Sequence, residues 1–164
     1  MKHQCYLGMG SNLGDRIENL RTAIKSLQQG NIDIIKCSNI YETDPRYIVE
    51  QPAFLNIVLN IMTEYSPLGL LHHVQNIENT MLRIREKKFG PRNIDIDILT
   101  YDDINVSSPE LIIPHPLMFE RNFVLTPLLD IASSKTLYGK DIIAFQASCR
   151  DQSVRLFSSQ EILF

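Results

Sequence analysis

Apolar residues recur along this chain with two periods, and the switches between them predict an order of elements. Residues 4–9 (QCYLGM) read as a strand, after which Gly8, Gly10 and Gly14 punctuate a turn. Asp15-Arg16-Ile17-Glu18 resembles a capping box, and Ile17, Leu20, Ile24 and Leu27 follow at helical spacing, with Gly30 as a natural stop. Residues 32–41 read as a second strand and residues 54–64 as a third. Between them, residues 43–53 form a loop of eleven residues with two prolines, long enough to suggest a lid or binding loop. Ser66-Pro67 opens a second helix, with proline at the first helical position and an apolar stripe of Leu70, Val74, Ile77 and Met81. Residues 94–101 make a fourth strand, LIIPHP after Pro109 is extended, and residues 121–132 are helical. The tail from Gly139 adds another helix and an irregular end. The order is β-α-β-β-α-β with additional C-terminal helices. This predicts an α+β, ferredoxin-like antiparallel sheet with both helices of the repeat on one face. No repeat or linker interrupts it, and 164 residues suit one domain spanning 1–164.

One strand breaks the polar pattern. In GPRNIDIDIL, residues 90–99, Ile94, Ile96 and Ile98 alternate with Asp95 and Asp97. Aspartate is a poor strand former, and the alternation aims both acids at the same face, their Cα atoms roughly 6.5–7 Å apart. Such a pattern describes the wet face of a half-buried strand. It also describes a metal site. Upstream, Arg83, Arg85, Lys87, Lys88 and Arg92 put five cations into ten residues against one acid, Glu86. Cations for phosphate oxygens beside carboxylates for a metal suit a polyphosphate with magnesium.

The net charge of −3 confines that positive patch to a small anionic ligand, because a general nucleic-acid binder is usually basic overall. Cys5, Cys37 and Cys149 are far apart and odd in number, which fits neither a zinc site nor a disulfide framework; reduced thiols and a cytoplasmic protein are expected. The N-terminal apolar run is too short for a signal peptide, and no stretch is long enough to span a bilayer. GMGSNLG has one residue too many for a dinucleotide fingerprint, and P-loop and protein-kinase signatures are absent. His72 and His73 have no i, i+4 partner and read as surface or packing residues. His115, stiffened between Pro114 and Pro116, reads as a ligand contact or as an incidental turn residue. Phe54 and Asn56 share a strand face, as a ring and an amide that stack and read a flat heterocycle would, or as a core pair. Arg121 and Phe123 can share a pocket only at a helix entrance.

YLGMGSNLGDR, FLNIVLNI, FGPRNIDIDIL and IPHPLMFERNFVLTPLLDIA together resemble the 6-hydroxymethyl-7,8-dihydropterin pyrophosphokinases of folate biosynthesis, over about residues 6–132. The resemblance implies transfer of the pyrophosphoryl group of ATP to the pterin hydroxymethyl group with release of AMP. It also implies two Mg2+ ions, and ATP and hydroxymethyl-dihydropterin as substrates. Asp95 and Asp97 match the metal-binding pair. Arg83, Arg85 and Arg92 match arginines at the phosphates, Arg83 and Arg92 with catalytic roles. His115 and Arg121 match further ATP-site residues, and Gln75, Glu78 and Ile98 positions around the adenosine. Thr43, Phe54, Asn56 and Phe123, with Asp95, match the pterin site. No nucleic acid or membrane partner is implied, while other folate-pathway enzymes are. The chain departs from the pattern at Phe89, where tryptophan is usual, and at Asn93, where threonine is common. A regulatory nucleotide-binding module is disfavoured by the intact acid pair and pterin pocket. An RNA-binding domain is disfavoured by strands without exposed aromatics.

Overall fold

The strand that organises the molecule is β1 (His3–Ser11), whose alternate residues Cys5, Leu7 and Met9 are buried on one face while Tyr6 is buried on the other. The computed structural model describes residues 1–45, 50–81 and 93–164. From β1 the chain enters α1 (Arg16–Gln29), where the Asp15 carboxylate accepts the Glu18 N–H at 3.0 Å, as the capping signal predicts. Strand β2 (Asp33–Cys37) and β3 (Ile40–Thr43) follow, then β4 (Phe54–Thr63) and α2 (Pro67–Met81). Next come β5 (Asp95–Tyr101), a short β6 (Val106–Ser107) and β7 (Ile112–Ile113), and α3 (Asn122–Ile131). A hairpin of β8 (Thr136–Leu137) and β9 (Lys140–Asp141) leads to α4 (Ile142–Ala147) and β10 (Val154–Ser158).

The main sheet runs β10-β3-β4-β1-β5, with β2 also on β4, and every pairing is antiparallel. Its two faces bury different helices. Leu20, Ala23, Ile24 and Leu27 of α1 and Leu70, Val74 and Ile77 of α2 pack with Leu7, Met9, Leu55, Ile57, Ile96 and Ile98. On the other face, Val124, Leu125, Leu128 and Ile131 of α3 and Ile142 of α4 pack with Tyr6, Val58 and Leu99. The helices on this second face leave part of the sheet uncovered near the start of α3, and the cleft opens there.

Four expectations are corrected. The single strand over residues 32–41 is two strands, because the chain bulges at Ser38. The Ser38 hydroxyl accepts the Val58 N–H at 2.9 Å and donates to the Asn39 carbonyl at 2.8 Å, satisfying the backbone where the ladder is interrupted. Strand β3 then extends to Thr43, which is the last strand residue and not the first of a loop. Gly8 and Gly10 belong to the interior of β1; of the three glycines, the left-handed turn residue is Gly14, at φ +69°. The C-terminal tail contributes a strand to the main sheet, β10 pairing with β3. Gly30 does end α1, but at φ −85°, with the left-handed conformation at Asn31. A Cβ at residue 30 would lie 2.2 Å from Nε2 of His73, so any larger residue there must move the His73 ring.

Candidate active site

The floor of the cleft is flat where β1 carries glycine at positions 8 and 10. Gly8 and Gly10 fall on the uncovered face, so the central strand forms a flat floor. Gly10 pairs with Asn56 of β4 on one side and with Asp95 of β5 on the other; Gly8 pairs with Val58 and Asp97. The acids and the amide therefore rise as opposite walls from rows that backbone hydrogen bonds hold in register. The cavity measures about 480 Å³. Its lining includes eight residues anticipated from the sequence: Thr43, Phe54, Asn56, Asp95, Asp97, His115, Arg121 and Phe123.

On the amide wall, the Asn56 Nδ2 donates to Thr43 Oγ1 at 2.8 Å, which fixes the side chain with the residue only 6% exposed. Phe54, two residues along the same face, stands beside it. Arg121 is the extended N-cap of α3, and this turn lets its guanidinium sit 5.5 Å from the centre of the Phe123 ring. Helical geometry alone would have separated that i, i+2 pair.

On the acid wall, Asp95 and Asp97 face the cleft while Ile94, Ile96 and Ile98 are buried in the core behind. The isoleucines pack with α1 and α2, so the alternation is a division of labour between two faces. Glu78 comes up from α2, its carboxylate accepting the Ile96 N–H at 3.1 Å and sharing a hydrogen bond with Asp95. Burial, then the charge of Asp95, pushes the Glu78 pKa up from 4.5 to about 8. His115 is held by its own N–H to the Leu99 carbonyl at 2.9 Å and by the Leu117 N–H to its Nδ1 at 3.1 Å. With Nδ1 accepting, the neutral ring carries its proton on Nε2. Burial and then the Arg121 charge lower the His115 pKa, partly offset by Asp95.

Three anticipated residues lie outside this lining. Glu78 supports the acid wall from behind. Gln75 is exposed one turn earlier on the same helix, and the Ile98 side chain is in the core on the opposite face. Arg83, Arg85 and Arg92, with Lys87, Lys88 and Phe89, lie outside the described residues. The sequence reading missed Gly8 and Gly10 as the floor, although glycines two apart in a strand are a signal of close approach. His72 pairs with Glu110 at 3.2 Å and His73 stacks on Tyr65, matching their reading as surface and packing residues. The three cysteines are free, and no helix among the described residues is long and apolar enough to cross a membrane.

Among the described residues no group of three or more His, Cys, Asp or Glu side chains could hold a metal by itself. Two hard oxygen donors on one wall suit magnesium, which takes one or two carboxylates and completes its shell with water and substrate phosphates.

Comparison with known proteins agrees with this geometry. The family model for 7,8-dihydro-6-hydroxymethylpterin-pyrophosphokinase matches residues 6–133. A Bacillus subtilis 2-amino-4-hydroxy-6-hydroxymethyldihydropteridine pyrophosphokinase is 45% identical over 132 residues, covering 80% of this chain and 79% of its own. The Haemophilus influenzae protein of the same name is 40% identical, covering 84% and 87%. A mitochondrial folate synthesis bifunctional protein of Arabidopsis thaliana is 40% identical over 81% of this chain, which spans only 24% of that protein. A solved Plasmodium falciparum HPPK-DHPS structure shares the fold, with TM-score 0.72 and 18% identity, over 90% of this chain and 42% of that one. The chain belongs to the 7,8-dihydro-6-hydroxymethylpterin-pyrophosphokinase family.

Proposed function

We infer that the cleft on β1 is where this chain carries out its family's reaction. The chain is an ATP-dependent pyrophosphokinase of folate synthesis, transferring the pyrophosphoryl group of ATP to 6-hydroxymethyl-7,8-dihydropterin. The observation that carries the site assignment is the opposition of the Asp95–Asp97 wall to the Asn56–Phe54–Phe123 wall across a glycine floor. The pterin would stack on Phe123 and Phe54, with Asn56 and the Thr43 segment reading its edge. This directs the hydroxymethyl group toward Asp95. Its oxygen would bond to the β-phosphorus and release its proton to solvent, as the bond from the β-phosphorus to the α,β-bridging oxygen breaks and AMP departs with that oxygen. Asp95 and Asp97 would hold magnesium, two ions by the family resemblance, which supplies neutralisation of phosphate charge and a more acidic hydroxyl. His115 and Arg121 border the phosphate side, Nε2–H of the neutral imidazole being a donor for a phosphate oxygen. By the family resemblance, Gln75, Glu78 and Ile98 would border the adenosine end, although none of them lines the cleft described above. Arg83, Arg85 and Arg92 would supply the remaining positive charge, Arg83 and Arg92 to the transferring group. No protein nucleophile is required; positioning and electrostatics supply the rate.

The fold reading is ferredoxin-like. It is supported by the antiparallel pairing order β3-β4-β1-β5 when β2 and β3 are counted as one bulged strand. We take residues 1–164 as one catalytic domain in the cytoplasm, supported by free thiols and the bacterial relatives. Relatives named as bifunctional folate synthesis or HPPK-DHPS proteins favour association with other folate enzymes. The deciding experiment is incubation with ATP, magnesium and hydroxymethyl-dihydropterin. AMP should form in proportion to pterin consumed and only with pterin present; pterin-independent AMP, or none, overturns the reading.

A further inference from the structure

Arg16 is accounted for in the sequence only as part of the α1 capping signal, yet its side chain does something else. One terminal nitrogen, Nη1, donates to Glu42 Oε2 at 2.6 Å and to the Ala53 carbonyl at 3.0 Å. The guanidinium sits over the Phe157 ring at 5.5 Å. Glu42 lies in β3 and Ala53 immediately precedes β4, so one cation joins two chain ends that border the amide wall. Both partners of the ion pair are three-quarters buried, at 25% and 24% side-chain exposure, so the contact is screened less than a surface pair. Nearby groups reinforce the same place. Arg155 of β10 reaches Glu42 at 3.5 Å and Asp44 at 3.4 Å, and Asn12 Nδ2 donates to Gln51 Oε1 and the Pro52 carbonyl, each at 3.0 Å. Glu42 and Thr43 are successive residues of β3, so they point to opposite faces, Glu42 toward Arg16 and Thr43 toward Asn56.

We propose that Arg16 is a positioning residue for the pterin wall: by tying Glu42 and Ala53 to the start of α1, it sets the register of Thr43 against Asn56 and Phe54. It touches no substrate. Loss of its charge leaves the partly buried Glu42 with only the longer contact to Arg155 among the described residues, and the two chain ends lose their common anchor. Displacement of a positioning group by about 1 Å can change a rate by as much as a hundredfold. Arg16 does not line the acid wall, so the ATP and magnesium side should not feel the change. The inference rests on the assignment of Asn56 to the pterin.

The test compares Arg16→Gln, Arg16→Lys and Asn56→Ala for pterin KM, kcat and direct binding of a non-hydrolysable ATP analogue with magnesium. Arg16→Gln should raise pterin KM about tenfold with ATP-analogue affinity within about twofold of the parent. Arg16→Lys, which keeps the charge, should recover most of the loss. Unchanged pterin KM in Arg16→Gln beside an impaired Asn56→Ala overturns the role of Arg16 alone. Equal weakening of pterin and ATP-analogue binding overturns it too, since that is what general loosening of the fold would give. A silent Asn56→Ala overturns the pocket assignment and this inference with it. If Arg16→Gln does not fold, Glu42→Gln makes the same test from the other side of the pair, with the same expected split.

Discussion

The two walls of the cleft face each other across a single strand, but they are built on opposite principles. The amide wall is finished: Asn56 has its amide held by Thr43, and the Phe123 ring lies under Arg121. The acid wall gathers like charge, with Asp95 and Asp97 on one face and a third carboxyl, Glu78, whose pKa burial and Asp95 push up beside them. On the proposed reading, the first wall suits the flat pterin, recognised by shape and directed hydrogen bonds, and the second suits magnesium. Pre-organisation lowers the entropic cost of binding, and two carboxylates on one face raise the affinity of that face for a cation.

The sharpest way to break this contrast is Asp97→Asn, or equally Asp95→Asn. Removing a charge and a good oxygen ligand should lower the rate of AMP formation a hundredfold or more, at 1.36 kcal/mol per decade. The metal-free melting temperature should hold or rise, because one of two repelling charges is gone. Near-normal AMP production would return the pair to the solvated face of an ordinary strand. Asn56→Ala, on the finished wall, should give the reverse profile. It should cost about 1–3 kcal/mol of pterin affinity with ATP affinity hardly changed, read by titration of each ligand separately. Comparable losses for both ligands would show that the walls are not separate. Gly10→Ala should have a smaller effect. The new Cβ would lie 3.0 Å from Asn56 Oδ1, so the amide must shift by a few tenths of an ångström and pterin KM should rise a few-fold. An unchanged KM would mean that the floor is not in contact with the ligand.

The gentlest test uses pH. Glu78 has its folded pKa raised, so its stabilising contribution is full below the unfolded value of 4.5 and is lost as pH rises through about 8. Glu78→Gln, which stays neutral, should therefore melt a few degrees above the parent at pH 9 in EDTA, with the difference vanishing by pH 4. A gain independent of pH would remove Glu78 from the electrostatics of the acid wall.

What the sequence made legible follows the range of the interactions involved. The cap at Asp15, the proline start of α2 and the division of isoleucines from aspartates in β5 are local, and each is where the pattern predicted. Ser38 escaped notice because a bulge satisfied by a side-chain hydroxyl leaves no hydrophobic signature. Strand β10 escaped because Arg155, Leu156 and Phe157 are all exposed, so its residues do not alternate as an edge strand half-buried in a sheet would. Glu78 was assigned by resemblance to the adenosine, and nothing in the spacing announced that α2 would bring it against a strand seventeen residues away. Residues that act at the site through others, Arg16 among them, carry no motif of their own.

The register of β1 has a consequence for what this cleft can accept. Asn56, Gly10 and Asp95 lie in one row across three strands. The backbone distance from the amide to the nearer acid is therefore two strand spacings, about 9–10 Å. No side-chain substitution changes that span, because main-chain hydrogen bonds measure it. On the proposed assignment, the sheet then acts as a ruler between Asn56, which would read one end of the pterin, and Asp95, which would receive the other. The pitch of the β-sheet would set the length of acceptor that fits between them.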